Sequence, residues 1–442
     1  MLTFLGFGMV IVFMTLIMTK RVSPLIALIL VPIIFGIVGG FWKGLGPMML
    51  EGIRNLAPTG VMLMFAILYF GIMIDAGLFE PFVFRIVRVV RGDPMKIVVG
   101  TAVLALLVSL DGDGSTTYMI TTAAMLPLYR RLGIRPLILA CVTMMAGGVM
   151  NILPWGGPTA RAATALAIDT SDIFIPLVPA MMVGAIWVLF VAYRLGLRER
   201  SRLALPGSHD LPETEEIEPE PEVVGATEDV SRPDLLWVNA LLTLVLLVAL
   251  VKTVLPLPVL FMIAFAIAIT INYPSIAQQK ARLHAHAGNI LAVVGLIFAA
   301  GIFTGILSGT RMVDAMANSV VNLIPAALGP YLAVVTAVLS IPFTFFISND
   351  AFYFGVLPIL AKAGAAYGIT AAEMGRAAVI GQPVHLLSPL VPSTYLLVGL
   401  VEVEFDDHQR FTIKWALLTS LIILTIGLAS AVIPLVGHGV RR

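Results

Sequence analysis

The chain has 442 residues, 59% hydrophobic and 12% charged, with a mean hydropathy of +1.01. Soluble domains carry about 25% charged residues, so this composition excludes an ordinary cytosolic enzyme and a disordered chain. The 27 Lys and Arg nearly cancel the 26 Asp and Glu, which leaves no basic field for nucleic acid. The single cysteine, Cys141, excludes a disulfide framework and any multi-cysteine metal or redox centre. A polytopic membrane protein remains.

Crossing a ~30 Å hydrocarbon core takes about 20 apolar helical residues. In chain order such runs fall near 2–19, 22–41, 59–78, 136–168, 173–196, 235–254, 256–273, 288–307, 371–400 and 411–436, so about ten membrane crossings are expected. Two further apolar segments, 97–129 and 330–365, are broken in the middle by polar tips. Neither arm of the first is expected to cross, since residues 96–110 rise about 22 Å and 118–129 about 18 Å at ~1.5 Å per residue. Both segments read as re-entrant hairpins, which survive at membrane depth only when buried in protein or lining a cavity.

Lys20 and Arg21 follow the first apolar run instead of preceding it. That run is therefore not expected to be a cleaved leader, and the first loop is expected to be cytoplasmic. Ten crossings then put both termini outside a cell (inner) membrane and two thirds of the 27 cations inside, as the positive-inside rule requires. Residues 198–234 hold nine acids and four prolines between Leu205 and Ser231, a composition that cannot bury enough surface to fold. They read as an acidic cytoplasmic linker between two halves, 1–197 and 235–442.

The halves share one order of parts: three spans, an amphipathic stretch, a polar-tipped hairpin, an interrupted span (136–168 and 371–400) and a closing span. Leu2 and Leu235 begin the two copies, and the tip serines Ser115 and Ser348 keep the same offset of 233 residues. The interruptions carry Pro154-Trp-Gly-Gly-Pro158-Thr159 and Pro389-Leu-Val-Pro392-Ser393. Five crossings per half invert the second copy. The expected fold is an all-α polytopic membrane protein of two inverted repeats, with two re-entrant hairpins and two discontinuous helices. That pattern is the signature of secondary transporters with a site near the midplane.

Four acids fall inside apolar segments: Asp75, Asp111, Asp113 and Asp350. An acid at membrane depth costs at least ~2.5 kcal/mol, so each calls for a function or a partner. Asp75, near the cytoplasmic end of its span, is expected to face water or to pair with Arg85 or Arg88. Asp111 and Asp113 lie in the first tip with Ser115, Thr116 and Thr117. Hard oxygen ligands of this kind suit a proton, Na⁺, Mg²⁺ or Ca²⁺. The second tip offers Ser348, Asn349 and Asp350 at a half-helix start, where capping and anion binding are compatible. The interruptions add Asn151, Gly156, Gly157, Thr159, Ser388, Pro392, Ser393 and Thr394, with the glycines allowing close backbone approach. Trp155 is expected to pack. Arg161 is the one cation deep in a span, suited to a tip aspartate or to a substrate carboxylate. His385 is either a structural histidine or a proton relay.

The tips Ser109-Leu-Asp-Gly-Asp-Gly-Ser-Thr-Thr117 and Phe345-Phe-Ile-Ser-Asn-Asp-Ala-Phe-Tyr-Phe354 resemble those of the citrate–metal:proton symporter family (CitMHS). Asn151-Ile-Leu-Pro-Trp-Gly-Gly-Pro-Thr159 and Gly381-Gln-Pro-Val-His-Leu-Leu-Ser-Pro-Leu-Val-Pro-Ser-Thr394 extend the resemblance over all but the linker. It implies a non-enzymatic carrier that imports citrate complexed with Mg²⁺ or Ca²⁺ by proton symport. The metal would belong to the substrate, with no tightly bound cofactor. Asp111, Asp113 and Asp350 would serve the metal, and these three with His385 the protons. The wider group implies elevator motion and a homodimer. Its Na⁺-coupled members carry Ser-Asn-Thr at each tip; here the first tip lacks Asn and the second reads Ser-Asn-Asp, so a pair of Na⁺ sites does not carry over from the resemblance.

Charge counting favours a metal-complexed ligand. Three tip aspartates facing a citrate trianion would gather six negative charges against Arg161, which cannot hold without cations. A carrier for another organic anion, such as gluconate or a dicarboxylate, and a cation/proton antiporter remain alternatives. An intramembrane aspartyl protease does not fit, because its dyad needs carboxylates opposed from two helices. Asp111→Asn or Asp113→Asn is expected to alter the pH or metal dependence of transport. Uptake titrated against pH and divalent ion checks this, and unchanged profiles in both variants would remove the tip acids from coupling.

Overall fold

The computed structural model describes the chain except residues 20, 91, 113, 205–229, 253, 324, 326 and 440–442. Asp113 and most of the expected linker thus lie outside the described residues. The rest is helical, with no strand among the described residues. α1 (Leu2–Met18), α2 (Pro24–Val38) and α3 (Leu45–Asp75) precede a short amphipathic α4 (Glu80–Val89). α5 (Pro94–Val108) and α6 (Gly114–Arg131) form the first hairpin. α7 (Pro136–Met150) and α8 (Gly157–Leu166) are the halves of a broken helix, followed by α9 (Thr170–Leu203).

The second half runs α10 (Leu236–Val251), α11 (Leu257–Asn272), α12 (Ile276–Gly309) and the short α13 (Met312–Leu323). α14 (Leu332–Phe346) and α15 (Leu357–Ala365) form the second hairpin. α16 (Ala371–Ala378), α17 (Gln382–His385) and α18 (Pro392–Val401) make up the second broken helix, and α19 (Phe405–Ala429) closes the chain. Local chemistry sets many of these starts. Ser23, Asp93, Asp169, Ser275 and Thr370 accept backbone N–H bonds as N-caps. Proline occupies the first helical position at Pro24, Pro94, Pro136 and Pro392, where its missing N–H costs nothing.

Seven helices among the described residues are long and apolar enough to cross a bilayer. Two of the seven, Pro94–Asp111 and Gly329–Phe346, are the first arms of the hairpins expected to be re-entrant; five are expected crossings, and the other expected crossings fall on helices of 10–17 residues or on the broken helices. The first hairpin arms are longer than the sequence suggests. Asp93 caps the first arm, and a 3₁₀ turn over Ser109–Asp111 carries it to 18 residues, Pro94–Asp111. The second arm starts at Gly114 and runs 18 residues. Each arm then rises about 27 Å.

Two groups of helices pack face to face. One is built on α3 and α12, with α2, α11, α10 and α1 around them; the other comprises α5–α7, α9, α14 and α16–α19. α3 and α12 run antiparallel at backbone contact. A Cβ on Gly52 would collide with the Gly301 carbonyl and lie 2.9 Å from Gly305 Cα. This contact aligns the far ends of the pair and corrects the expectation for Asp75. Its Oδ2 meets His286 Nε2 at 2.9 Å and Arg282 Nη1 at 3.4 Å, both on α12, while Arg85 and Arg88 are exposed.

α9 continues to Leu203 because Glu199 anchors it. The Glu199 side chain is fully buried and accepts from Arg135 Nε at 2.8 Å, the Arg135 backbone N–H at 3.2 Å and Arg202 Nη2 at 2.6 Å. Burial raises the carboxyl pKa, but the bonds from Arg202 and Arg135 outweigh it and hold Glu199 below the ordinary glutamate value. A depressed carboxyl contributes stability above its unfolded pKa and loses it as pH falls through the folded one. Glu199→Gln should therefore lower stability by about 2 kcal/mol at neutral pH. Thermal unfolding in detergent should show that gap closing below about pH 4.

Candidate functional site

The two tips and the two helix breaks converge where the helix groups meet. In the first tip, the turn after Ser109–Asp111 passes through Gly112 in the left-handed region, φ +80°. Its missing side chain leaves room for Trp155, whose Cδ1 lies 2.7 Å from where a Cβ would sit. Trp155 Nε1 donates to the Leu110 carbonyl at 2.9 Å, and its ring packs on Phe70 of α3 and Phe261 of α11. The indole packs, as its sequence context suggests. Asp111 is buried beside this turn. Ser115 and Thr116 are half-buried in the first turn of α6, and buried Thr117 donates to Ser109 Oγ at 3.2 Å. Ser393, on the first turn of α18 just after Pro392, faces Gly114 across the tip, its Oγ 3.7 Å from a Cβ built there.

In the second tip, Ser348 Oγ accepts the Ala351 N–H at 3.1 Å, and the chain enters one turn of π-helix over Ala351–Val356 before α15. Such turns mark functional positions often enough to be noted. Asp350 Oδ1 accepts from Arg161 Nε at 2.6 Å, so α8 of the first half is joined by charge to the second tip. Gly157 makes this reach possible: a Cβ there would lie 2.6 Å from Arg161 Nη1. Arg161 and Asp350 are 25% and 13% exposed, so both charges are largely withdrawn from water.

A second link joins the same elements. Asn151, at the end of α7, donates to Gln382 Oε1 at 3.0 Å, and Gln382 Nε2 reaches Tyr353 at 2.7 Å and Asn349 Oδ1 at 3.3 Å. Gln382 is fully buried. The sequence reading passed over Gln382 and Tyr353; an amide in an otherwise apolar interrupted span was the available signal. Gly148 has no side chain where α7 meets α17, with Pro383 Cα 2.7 Å from a Cβ built there.

Several residues expected to touch the ligand have a structural task at the breaks. Thr159 and Thr394 are fully buried, and each hydroxyl donates back across its break, to Ile152 O at 2.8 Å and to Leu386 O. Their protons are spent on carbonyls that the interruption of the helix leaves unpaired. Gly156 precedes α8, where a Cβ would collide with the Asn151 carbonyl. Ser388 donates to Phe345 O at 2.6 Å. His385 Nδ1 lies 2.5 Å from Thr344 O; a carbonyl only accepts, so Nδ1 donates and Nε2 is the nitrogen left for proton exchange. No cluster of three or more His, Cys, Asp or Glu side chains able to hold a metal occurs among the described residues. Of the expected set Asp111, Asp113 and Asp350, Asp111 is buried beside the first tip, Asp350 is paired with Arg161, and Asp113 lies outside the described residues.

A family model described as citrate transporter (CitMHS) matches residues 9–381. The chain belongs to the citrate transporter family. A protein of Bacillus subtilis (strain 168) named citrate transporter is 60% identical over 433 residues, 98% of this chain and all of its own length. A second from the same organism, named Mg(2+)/citrate complex secondary transporter, is 54% identical over 430 residues, 97% of this chain and 98% of its own. Among solved structures, the YdaH transporter of Alcanivorax borkumensis aligns with a TM-score of 0.55 at 14% identity, over 89% of this chain and 90% of that one. MtrF of Neisseria gonorrhoeae aligns at 0.51 and 13% identity, over 88% and 84%. At such identity the two structures speak for the fold alone.

As a member of the citrate transporter family, the protein is a multi-pass membrane transporter and not an enzyme. The Arg161–Asp350 pair is its most exposed energetic commitment, because removing one partner leaves the other charge buried and unmatched. Arg161→Gln and Asp350→Asn should each destabilise the protein by roughly 1–3 kcal/mol. The double variant should recover about 1–2 kcal/mol of the summed loss, as read from thermal unfolding of all four proteins.

Proposed function

We propose that the protein imports citrate complexed with Mg²⁺ or Ca²⁺, driven by proton symport. One observation carries the reading: opposite charges from the first broken helix and the second tip, Arg161 and Asp350, meet at the junction of the four polar segments. Without substrate each neutralises the other. A metal–citrate complex offers the same two charges in one ligand, its cation to Asp350 and a free carboxylate to Arg161. The ion pair then opens while both groups keep a partner. Bare citrate would set an anion against Asp350, and a bare divalent ion would set a dication against Arg161. Either mismatch costs several kcal/mol at this depth. The relative named for a Mg(2+)/citrate complex supports the same cargo.

Asp111, Asp113, Asp350 and His385 are the proposed proton carriers. Ser115, Thr116, Ser348, Asn349 and Ser393 are proposed to complete the substrate contacts, with backbone amides near Gly156 and Gly157. Two inverted repeats, re-entrant hairpins and elevator motion of the tip-bearing helices against the α3–α12 group complete the proposal. It places the protein in the cell (inner) membrane as a homodimer, with the termini outside and the acidic linker in the cytoplasm.

The test is uptake of labelled citrate into proteoliposomes under an inward proton gradient, varying Mg²⁺, Ca²⁺, chelator and Na⁺. Uptake should require a divalent ion, collapse with a protonophore and ignore Na⁺. Metal-independent, Na⁺-driven uptake would overturn the reading.

A further inference from the structure

We propose that Gln382 is a positioning residue that fixes the polarity of the substrate site. Through it, Asn151 turns its carbonyl oxygen, and Asn349 its amide hydrogens, toward the substrate. The inference rests on the metal–citrate reading and adds which side of the site takes the cation and which the carboxylates.

The polarity follows from one backbone group. The Ala378 carbonyl can only accept, so Tyr353, 3.3 Å away, gives it its single hydroxyl proton. The Tyr353 oxygen must then accept, and its partner at 2.7 Å is the amide of Gln382, which therefore presents Nε2 there. Gln382 Oε1 is left on the opposite side, where it can only accept, and Asn151 lies 3.0 Å from it. Asn151 must present Nδ2 to Gln382. The second Nε2 hydrogen of Gln382 points to Asn349, which must answer with Oδ1 at 3.3 Å. Gln382 is fully buried, so no solvent competes for these bonds. The orientation of three amides is thus dictated by a carbonyl that cannot be reversed.

Each asparagine keeps a group that Gln382 does not use. Asn151 and Asn349 are half-buried, and neither Asn151 Oδ1 nor Asn349 Nδ2 has a protein partner among the described residues. A carbonyl oxygen suits a hard divalent cation. An N–H₂ group suits a carboxylate. The proposal thus pairs the cation of the complex with the oxygens of Asp350 and Asn151, and its carboxylates with the donors of Arg161 and Asn349.

Asn349→Asp tests this by sign. The aspartate still accepts from Gln382, but the atom toward the substrate changes from a donor to an anionic oxygen. Apparent KM for metal–citrate should rise about tenfold or more with little change in kcat. Gln382→Glu keeps the shape and the bond from Asn151 but has no proton for Asn349, whose amide must turn over, so KM should rise similarly. Tyr353→Phe removes the anchor and should give a smaller rise, about threefold. If Gln382→Glu proves too unstable to assay, Asn349→Asp, at a half-buried site with its internal bond kept, decides alone.

An unchanged or lowered KM in Asn349→Asp would overturn the polarity, since an oxygen there would then be facing the cation. The wild-type arm, run with and without chelator, separates the two readings. Chelator-independent uptake overturns the metal–citrate reading, whereas chelator-sensitive uptake with an unchanged KM in Asn349→Asp overturns only the polarity.

Discussion

A polar group deep in a membrane protein has no water to fall back on, and the whole arrangement around the tips answers to that constraint. Two chain breaks leave carbonyls without helical partners; Thr159 and Thr394 close them from one turn beyond. The hairpin tips leave N–H groups open, and Ser348 caps one of them. Arg161 and Asp350 come from different halves of the chain, 189 residues apart, and neither charge would be tolerable without the other. A site that must satisfy itself when empty can still bind, provided that the ligand brings the same set of charges and donors that it displaces.

This economy relies on a rigid neighbour. Gly52, Gly301 and Gly305 let α3 and α12 touch backbone to backbone, which removes side-chain rearrangement from that contact. The tip-bearing helices pack against this pair through α8 and the 3₁₀ turn of the first tip. Glu199 anchors the end of α9 with two arginines, so the longest helix of the tip-bearing group has a fixed terminus. The polar centre is therefore held between one surface that is sterically locked and another that is locked by charge.

The parts of this design that depend on local sequence were legible from it. Apolar runs, the proline–glycine breaks and the polar tips follow from composition and periodicity, and capping residues fall where helices begin. What could not be read is who meets whom. Asp75 finds its partners 207 and 211 residues away, on a helix whose G-x-x-x-G spacing at Gly301, Gly305 and Gly309 marks a close-packing face without naming the helix that fills it. Thr159 and Thr394 look like ligand residues because a hydroxyl beside a break suits either role, and only the path of the backbone decides. Gln382 was overlooked for the opposite reason: its importance lies in three bonds to distant residues, none of which is implied by its neighbours. Hairpin lengths were underestimated because a 3₁₀ turn and an early helix start extend each arm past its apolar core.

Trp155 has a consequence of a different kind. Its indole is seated on Gly112 of the first tip while its ring rests against Phe70 and Phe261 of the opposing helices. Any displacement of the first tip relative to α3 and α11 must either drag those aromatics along or pull the indole out of their stack into a different dielectric. The chain has five tryptophans, and this one bridges the two surfaces. With the other four replaced, its emission would serve as an intrinsic optical gauge of how far the two helix groups have parted.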